Sequence, residues 1–432
     1  MLASCVAMYR SPLCVDRRTS TLDDGGIADI IETSIYIAMV IAIGMVGTFD
    51  VANFGDLLFP LIARHELERR LGPVEIRPYS YNARSPASWP FAVSPLDRLA
   101  AEVGTLDLLL VGGGDTIRFD PLVALRYRPG SPDIHHPTGF WLAPIFLAHT
   151  ANVPVAWNAP GVPSEIPPWA HALVRVSVAV SAYVSVRDQA SHDRLTRVAH
   201  GARVEVVPDS GFNASMLVPD PPVSSDYLVV QSRPQYSRWL PRVRELLQDD
   251  RSHFVLAPVG PVTGDLVRPP AKLPPRTTFE YPKNPNEMLA LIAGSNGVVG
   301  PSLHLTIAAL SFGRQALRPT SSPLSKYRML DGLKGVQEFD LHSAATSDNL
   351  PPEPSQLSDI QKKLARHWDA IAALADASAA RGPRRKWEPM MMDLWQSLPL
   401  RFERRSPIAK LHTKLQIAKT MIERYRNGAS LG

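Results

Sequence analysis

A chain of 432 residues is long for one domain and suits two compact units with a terminal appendage. Hydrophobic residues make up 45% and charged residues 20%, enough apolar material for real cores and too much for a disordered protein. The formal charge of +5 is a property of the end: from Arg381 onward there are twelve Lys/Arg and four Asp/Glu, against 34 and 37 before it, which excludes an enzyme with a basic nucleic-acid groove through its body.

Residues 1–34 show no periodicity and read as a disordered N-terminal extension. Their Cys5 and Cys14 are the only cysteines, so neither a disulfide framework nor a cysteine-based metal site can be built, in keeping with a reducing cytoplasm. The apolar run Ile35–Val46 falls short of the ~20 residues that span a bilayer and predicts a buried first strand. A helix follows over Leu57–Leu71, then strands at Leu106–Val111, Val153–Trp157, Tyr183–Val186 and Val204–Val207, with helices from Trp141 and from about Gln189. Val218–Asp226 is a Pro/Ser-rich linker. A second series takes strands at Tyr227–Val230, Phe254–Ala257 and Gly297–Val299, and helices at Asn286–Ala293 and Leu303–Leu310. Alternation of this kind predicts parallel α/β sheets, one over residues 35–217 and one over 227–345, with a cleft at the strand carboxyl ends. Residues 355–432 read as a helical basic tail: Leu357, Ile360, Leu364, Trp368, Ile371 and Leu374 mark one amphipathic helix, and Ile408, Leu411, Leu415, Ile422 and Tyr425 another.

Five segments at predicted strand ends carry candidate chemistry. Gly47-Thr-Phe-Asp-Val-Ala-Asn-Phe-Gly-Asp56 enters a helix whose first N–H groups suit an anion or a polar sugar; Asn53 and Asp56 are its candidate site residues. Val111-Gly-Gly-Gly-Asp115 offers Gly113 and Gly114 for close backbone approach. Val184-Ser-Val-Arg-Asp-Gln-Ala-Ser191 puts Arg187 at a cleft rim, where a guanidinium binds carboxylate or phosphate; otherwise Arg187 is a surface residue paired with Asp188. Ala257-Pro-Val-Gly-Pro-Val-Thr-Gly-Asp265 is a Gly/Pro loop leaving a strand, or a plain surface turn. Gly300-Pro-Ser-Leu-His304 sets His304 in the first turn of a helix facing the sheet edge. No metal-ligand spacing is present: His135-His136, beside Pro137, reads as loop.

In this order the segments resemble those of the polysaccharide pyruvyl transferase family, over about residues 40–335, with Val207-Pro-Asp-Ser-Gly-Phe212 matching its "P-D" strand end. The resemblance implies a GT-B-like α/β fold, two Rossmann-like domains facing across a cleft with a C-terminal helical extension. It implies transfer of a pyruvyl group from phosphoenolpyruvate to a sugar of a cell-surface polysaccharide or its precursor, with no cofactor. On it, His304 is the acid and Asp209 or Asp56 the base. Arg187, Lys326 and Arg233 bind substrate, with Asn53, Gly113, Gly114 and Ser302 beside them. Many members carry Arg-Leu-His where this chain has Ser302-Leu-His304, and a histidine where it has Thr263. Two other readings stand beside this one: a glycosyltransferase with a nucleotide-sugar donor, and a non-catalytic glycan-binding relative. The implied partners are phosphoenolpyruvate and a glycan acceptor, with no nucleic acid. The place is the cytoplasm, where the basic tail helix is either a surface for the inner face of the membrane or a solvated face packed on the body.

Overall fold

The computed structural model describes residues 40–119, 137–222, 226–249, 251–319, 325–341 and 352–381, without side chains at 137–140 and 325–326. The first sheet is parallel, in the order β3-β2-β1-β4-β5. Its strands are β1 (Ile41–Val46), β2 (Val74–Ser80), β3 (Ser94–Pro95), β4 (Leu108–Val111) and β5 (Val155–Trp157). A two-stranded parallel pair, β6 (Ser185–Val186) and β7 (Glu205–Val206), lies beyond β5, bridged to it through Ala156 and Tyr183. The second sheet, also parallel, has the order β10-β9-β8-β11-β12-β13. It comprises β8 (Tyr227–Gln231), β9 (His253–Ala257), β10 (Thr277–Phe279), β11 (Gly297–Val299), β12 (Gln315–Pro319) and β13 (Val336–Phe339). Renumbered within each half, both are the Rossmann order 3-2-1-4-5, the second carrying a sixth strand. The fold is therefore α/β with two Rossmann-like sheets.

Alternation along the strands sorts the first sheet's two faces. Ile43, Met45, Leu108, Leu110 and Ala156 face one core; Val46, Leu109, Val111, Val155 and Trp157 face the other. The second face is covered by α2 (Leu96–Glu102), α3 (Pro137–Thr150), α4 (His171–Val180) and α5 (Gln189–Val198). The first face is covered by α1 (Phe54–Leu71), through Leu58, Ile62 and Leu67. The second sheet is flanked by α6 (Tyr236–Leu247), α7 (Pro285–Ala293) and α8 (Leu303–Ser311). Ile292, Ile307 and Leu310 join the same core as Ile43 and Leu58, so one apolar interior runs from the first sheet to the second.

The last described helix, α9 (Pro354–Ala379), closes that interior. Its apolar stripe, Leu364, Trp368, Ile371 and Ala375, is fully buried or nearly so and belongs to the core that holds β1, β4 and α1. Residues 355–379 of the predicted tail are thus a buried layer packed on the first sheet and α1. Gln361 Nε2 donates to the Phe212 carbonyl at 2.8 Å, and Arg70 Nε donates to Asp369 at 2.7 Å. The second predicted tail helix lies outside the described residues, as do residues 1–34 and His135-His136.

Candidate active site

In a Rossmann sheet, ligands sit outside the strand carboxyl ends where the strand order reverses. That point lies between β1 and β4 in the first sheet and between β8 and β11 in the second. All five motif segments leave strands at these edges or on the adjoining β6 and β9; the one after β1 touches His304, and those after β4 and β6 connect to it through Asp115, Arg187 and Asp209.

The loop after β1 is shaped by Asp50, which is buried and accepts from Ser80 Oγ at 2.6 Å and from the Asn82 backbone and side chain at 3.0 and 2.9 Å. Asn53 then caps α1, accepting from the Gly55 N–H at 3.2 Å. The Phe54 N–H reaches across to the Val259 carbonyl at 2.8 Å, tying this loop to the one after β9. Opposite, Ser302 caps α8 by accepting from the Leu305 N–H at 3.4 Å, while its own N–H donates to Gln231 Oε1 at 3.0 Å. Asn53 and Ser302 therefore spend their side chains on starting helices.

The two helix starts touch. A methyl group built on Gly55 would come within 1.9 Å of His304 Nδ1, so glycine is what lets the imidazole rest on α1. Phe59, one turn on, meets the ring edge-on at 5.3 Å between centroids. His304 Nε2 is buried without a hydrogen bond, 3.7 Å from Asp209 Oδ2, an ion-pair separation. Asp209 starts the 3-10 turn Ser210–Leu217 and accepts from the Gly211 N–H at 2.9 Å. Burial pushes its carboxyl up, but His304, Arg187 and the Gly211 N–H together hold it below its ordinary value. Asp56 lies on the same first turn as Gly55. Burial pushes its carboxyl up to about 6, with Asp115 and Asp50 adding to the rise and His304 and a hydrogen bond from Thr48 opposing it. Gly114 (φ 76°) sits 3.3 Å by its Cβ position from Asp56 Oδ1, and Gly113 is closed against Phe59 in the same sense.

Arg187 lies behind this cluster and away from the rim where the sequence sets it. Its side chain is 2% exposed, bound to Asp115, 3.4 Å from Asp209 and 3.7 Å from Asp188. Asp188 caps α5 through the Ser191 N–H at 2.7 Å. Arg233, 28% exposed, is held by Asp265 at 2.9 Å and by the Thr263 carbonyl at 2.6 Å, on the second sheet's edge. Lys326 falls in the short turn Ser325–Leu330, and its side chain lies outside the described residues. Among the described residues no group of three or more His, Cys, Asp or Glu is placed to hold a metal ion.

Gly55, Phe59, Asp115 and Gly161 join this cluster without being marked out by the sequence. Gly55 and Asp115 stand inside the quoted motifs, each beside a chosen residue; for Phe59 and Gly161 the spacing carried no signal.

The polysaccharide pyruvyl transferase signature matches residues 53–318, from the α1 cap into β12. The chain belongs to this family. It is therefore a member of a transferase family, and the matched span holds Asn53, Gly55, Asp56, Asp115, Arg187, Asp209 and His304 together. No curated protein matches the sequence significantly. Among solved structures, the chain is similar to a UDP-GlcNAc 2-epimerase from Methanocaldococcus jannaschii, at 10% identity over 75% of this chain and 92% of that one, with a TM-score of 0.43. It is similar also to the glycosyltransferase SnogD from Streptomyces nogalater, at 12% identity over 78% and 99%, with a TM-score of 0.40.

Proposed function

We propose that this family member transfers the pyruvyl group of phosphoenolpyruvate to two hydroxyls of one sugar, forming a cyclic ketal and releasing phosphate. One observation carries the reading: His304 rests on Gly55 between two helix N-termini, with Asp209 at 3.7 Å and Asp56 on the facing turn. Phosphoenolpyruvate brings a phosphate and a carboxylate, and paired helix N-termini favour such charge. Arg233 supplies a cation from the second sheet's edge, and Lys326, in the turn after β12, supplies another.

His304 gives its proton to the enol methylene as the first sugar hydroxyl adds to the neighbouring carbon. That hydroxyl's proton passes to Asp56, whose raised pKa suits a base working near neutral pH. The second hydroxyl then displaces phosphate, which leaves with the remaining proton. Asp209, buried and already bonded, orients the imidazole and steadies its charged form. Since phosphoenolpyruvate is an intracellular metabolite, the reaction belongs in the cytoplasm. No helix among the described residues is long and apolar enough to cross a membrane.

The test follows phosphate release from phosphoenolpyruvate with candidate glycans. Release should depend on the glycan, and His304→Ala should slow it by about 10²–10⁴-fold with the fold kept. Thermal stabilisation by UDP and none by phosphoenolpyruvate would instead favour a nucleotide-sugar donor. Unchanged turnover in His304→Ala would remove the histidine from the mechanism.

A further inference from the structure

We infer that Arg187 is a positioning residue: its guanidinium bridges Asp115 and Asp209, fixes the carboxylate that faces His304, and leaves the donor's anionic groups to other residues. The side chain is 2% exposed and already meets three carboxylates, from the loop after β4, from its own neighbour and from the turn after β7. A donor carboxylate would have to displace one of them. Gly161 seals the remaining side, since a methyl group there would come within 2.8 Å of Nε and 2.9 Å of Nη2. Of the three carboxylates, Asp209 is the one that also faces His304, and its side chain is 1% exposed. Removing the arginine would leave Asp209 a buried carboxylate without its cation, free to turn away from His304. The planar fork of arginine spans two carboxylates at once, which a lysine cannot do. The chain of contact thus runs Asp115, Arg187, Asp209, His304, and the reacting atoms lie at its far end.

The kinetic arm of the test rests on pyruvyl transfer; the spectroscopic arm does not. In Arg187→Gln the inference expects kcat for phosphate release to fall about 100-fold, with KM for phosphoenolpyruvate within about twofold of wild type. Arg187→Lys should recover part of kcat, again at unchanged KM. A donor ligand would show the opposite split, KM rising tenfold or more in both variants with kcat largely kept. If Arg187→Gln does not fold, the double variant Arg187→Gln/Asp115→Asn removes one of the stranded carboxylates and is measured in its place. Independently, the ring ¹⁵N resonances of His304, assigned by their loss in His304→Gln, should move in every Arg187 variant. Those of His253, at the start of β9, should stay. His304 resonances that hold still in a folded Arg187 variant would overturn the inference. Should wild type release no phosphate from phosphoenolpyruvate, the transfer reading falls and the resonances still decide this one.

Discussion

Two histidines of this molecule sit in well-packed surroundings and are treated in opposite ways. His367, on α9, has both ring nitrogens engaged: Nδ1 is 3.0 Å from the Tyr183 hydroxyl and Nε2 is 3.1 Å from Asn158 Oδ1. Burial, with the Arg70 charge nearby, pushes its pKa down to about 3, so it is neutral and serves as a pin between α9 and the first sheet. His304 has a bare Nε2, a carboxylate just beyond hydrogen-bond range, and a glycine where any side chain would collide. A satisfied ring is a fastener. A ring with an open nitrogen, set by packing and by a carboxylate at 3.7 Å, is free to exchange a proton with a substrate.

The contrast breaks most sharply at Gly55. Gly55→Ala puts a methyl group into the imidazole, and a displacement of about 1 Å should cost on the order of 100-fold in kcat in the phosphate-release assay, with about 1–3 kcal/mol of stability lost to the overpacking. The complementary change, His367→Leu, strands Asn158 Oδ1 and leaves the Tyr183 hydroxyl with Glu205 alone, and should lower stability by about 1–3 kcal/mol in urea titrations while folded protein keeps its turnover. The same pin has a pH signature. Because the folded pKa lies near 3 and the unfolded one near 6.5, the unfolded state takes up the extra proton as pH falls. Wild type should therefore lose about 2 kcal/mol more than His367→Leu between pH 7 and pH 5.

Asp56→Asn sharpens the other side. If Asp56 is the base, wild-type rates fall as pH drops through about 6; the variant should lose that limb and about tenfold or more in rate at pH 8. Its folded pKa is raised, so its stabilising contribution is present at low pH and is lost as pH rises through about 6. The asparagine variant should then melt higher than wild type at pH 8. The smallest effect belongs to Ser302→Ala, which removes a helix cap worth about 1 kcal/mol in urea titrations and changes kcat only modestly.

Much of this was legible in the chain. Strand-ending motifs located β1, β4, β6, β9 and β11, and the first-turn position of His304 followed from Gly300-Pro-Ser-Leu-His304 alone. β2 was not seen, because Glu75, Arg77 and Pro78 interrupt its apolar run, although β1 pairs with it along its full length. Arg187 was misplaced for another reason. Its partners Asp115 and Asp209 stand 72 and 22 residues away, and no local pattern shows that three acids converge on one cation. For α9, the sequence displays an amphipathic stripe without saying which surface receives it.

That last helix has a consequence for how the protein is made. A ribosome releases β1 and α1 first, yet the apolar face bearing Ile43 and Leu58 is not fully covered until Trp368 and Ile371 have emerged, some 300 residues later. At about 5–20 residues per second that is a wait of roughly 15–60 s. During it the nascent first unit carries an exposed oily seam, the sort of surface that chaperones hold. Synthesis speed through the second unit, and not only sequence, then bears on how much of the chain reaches its native state.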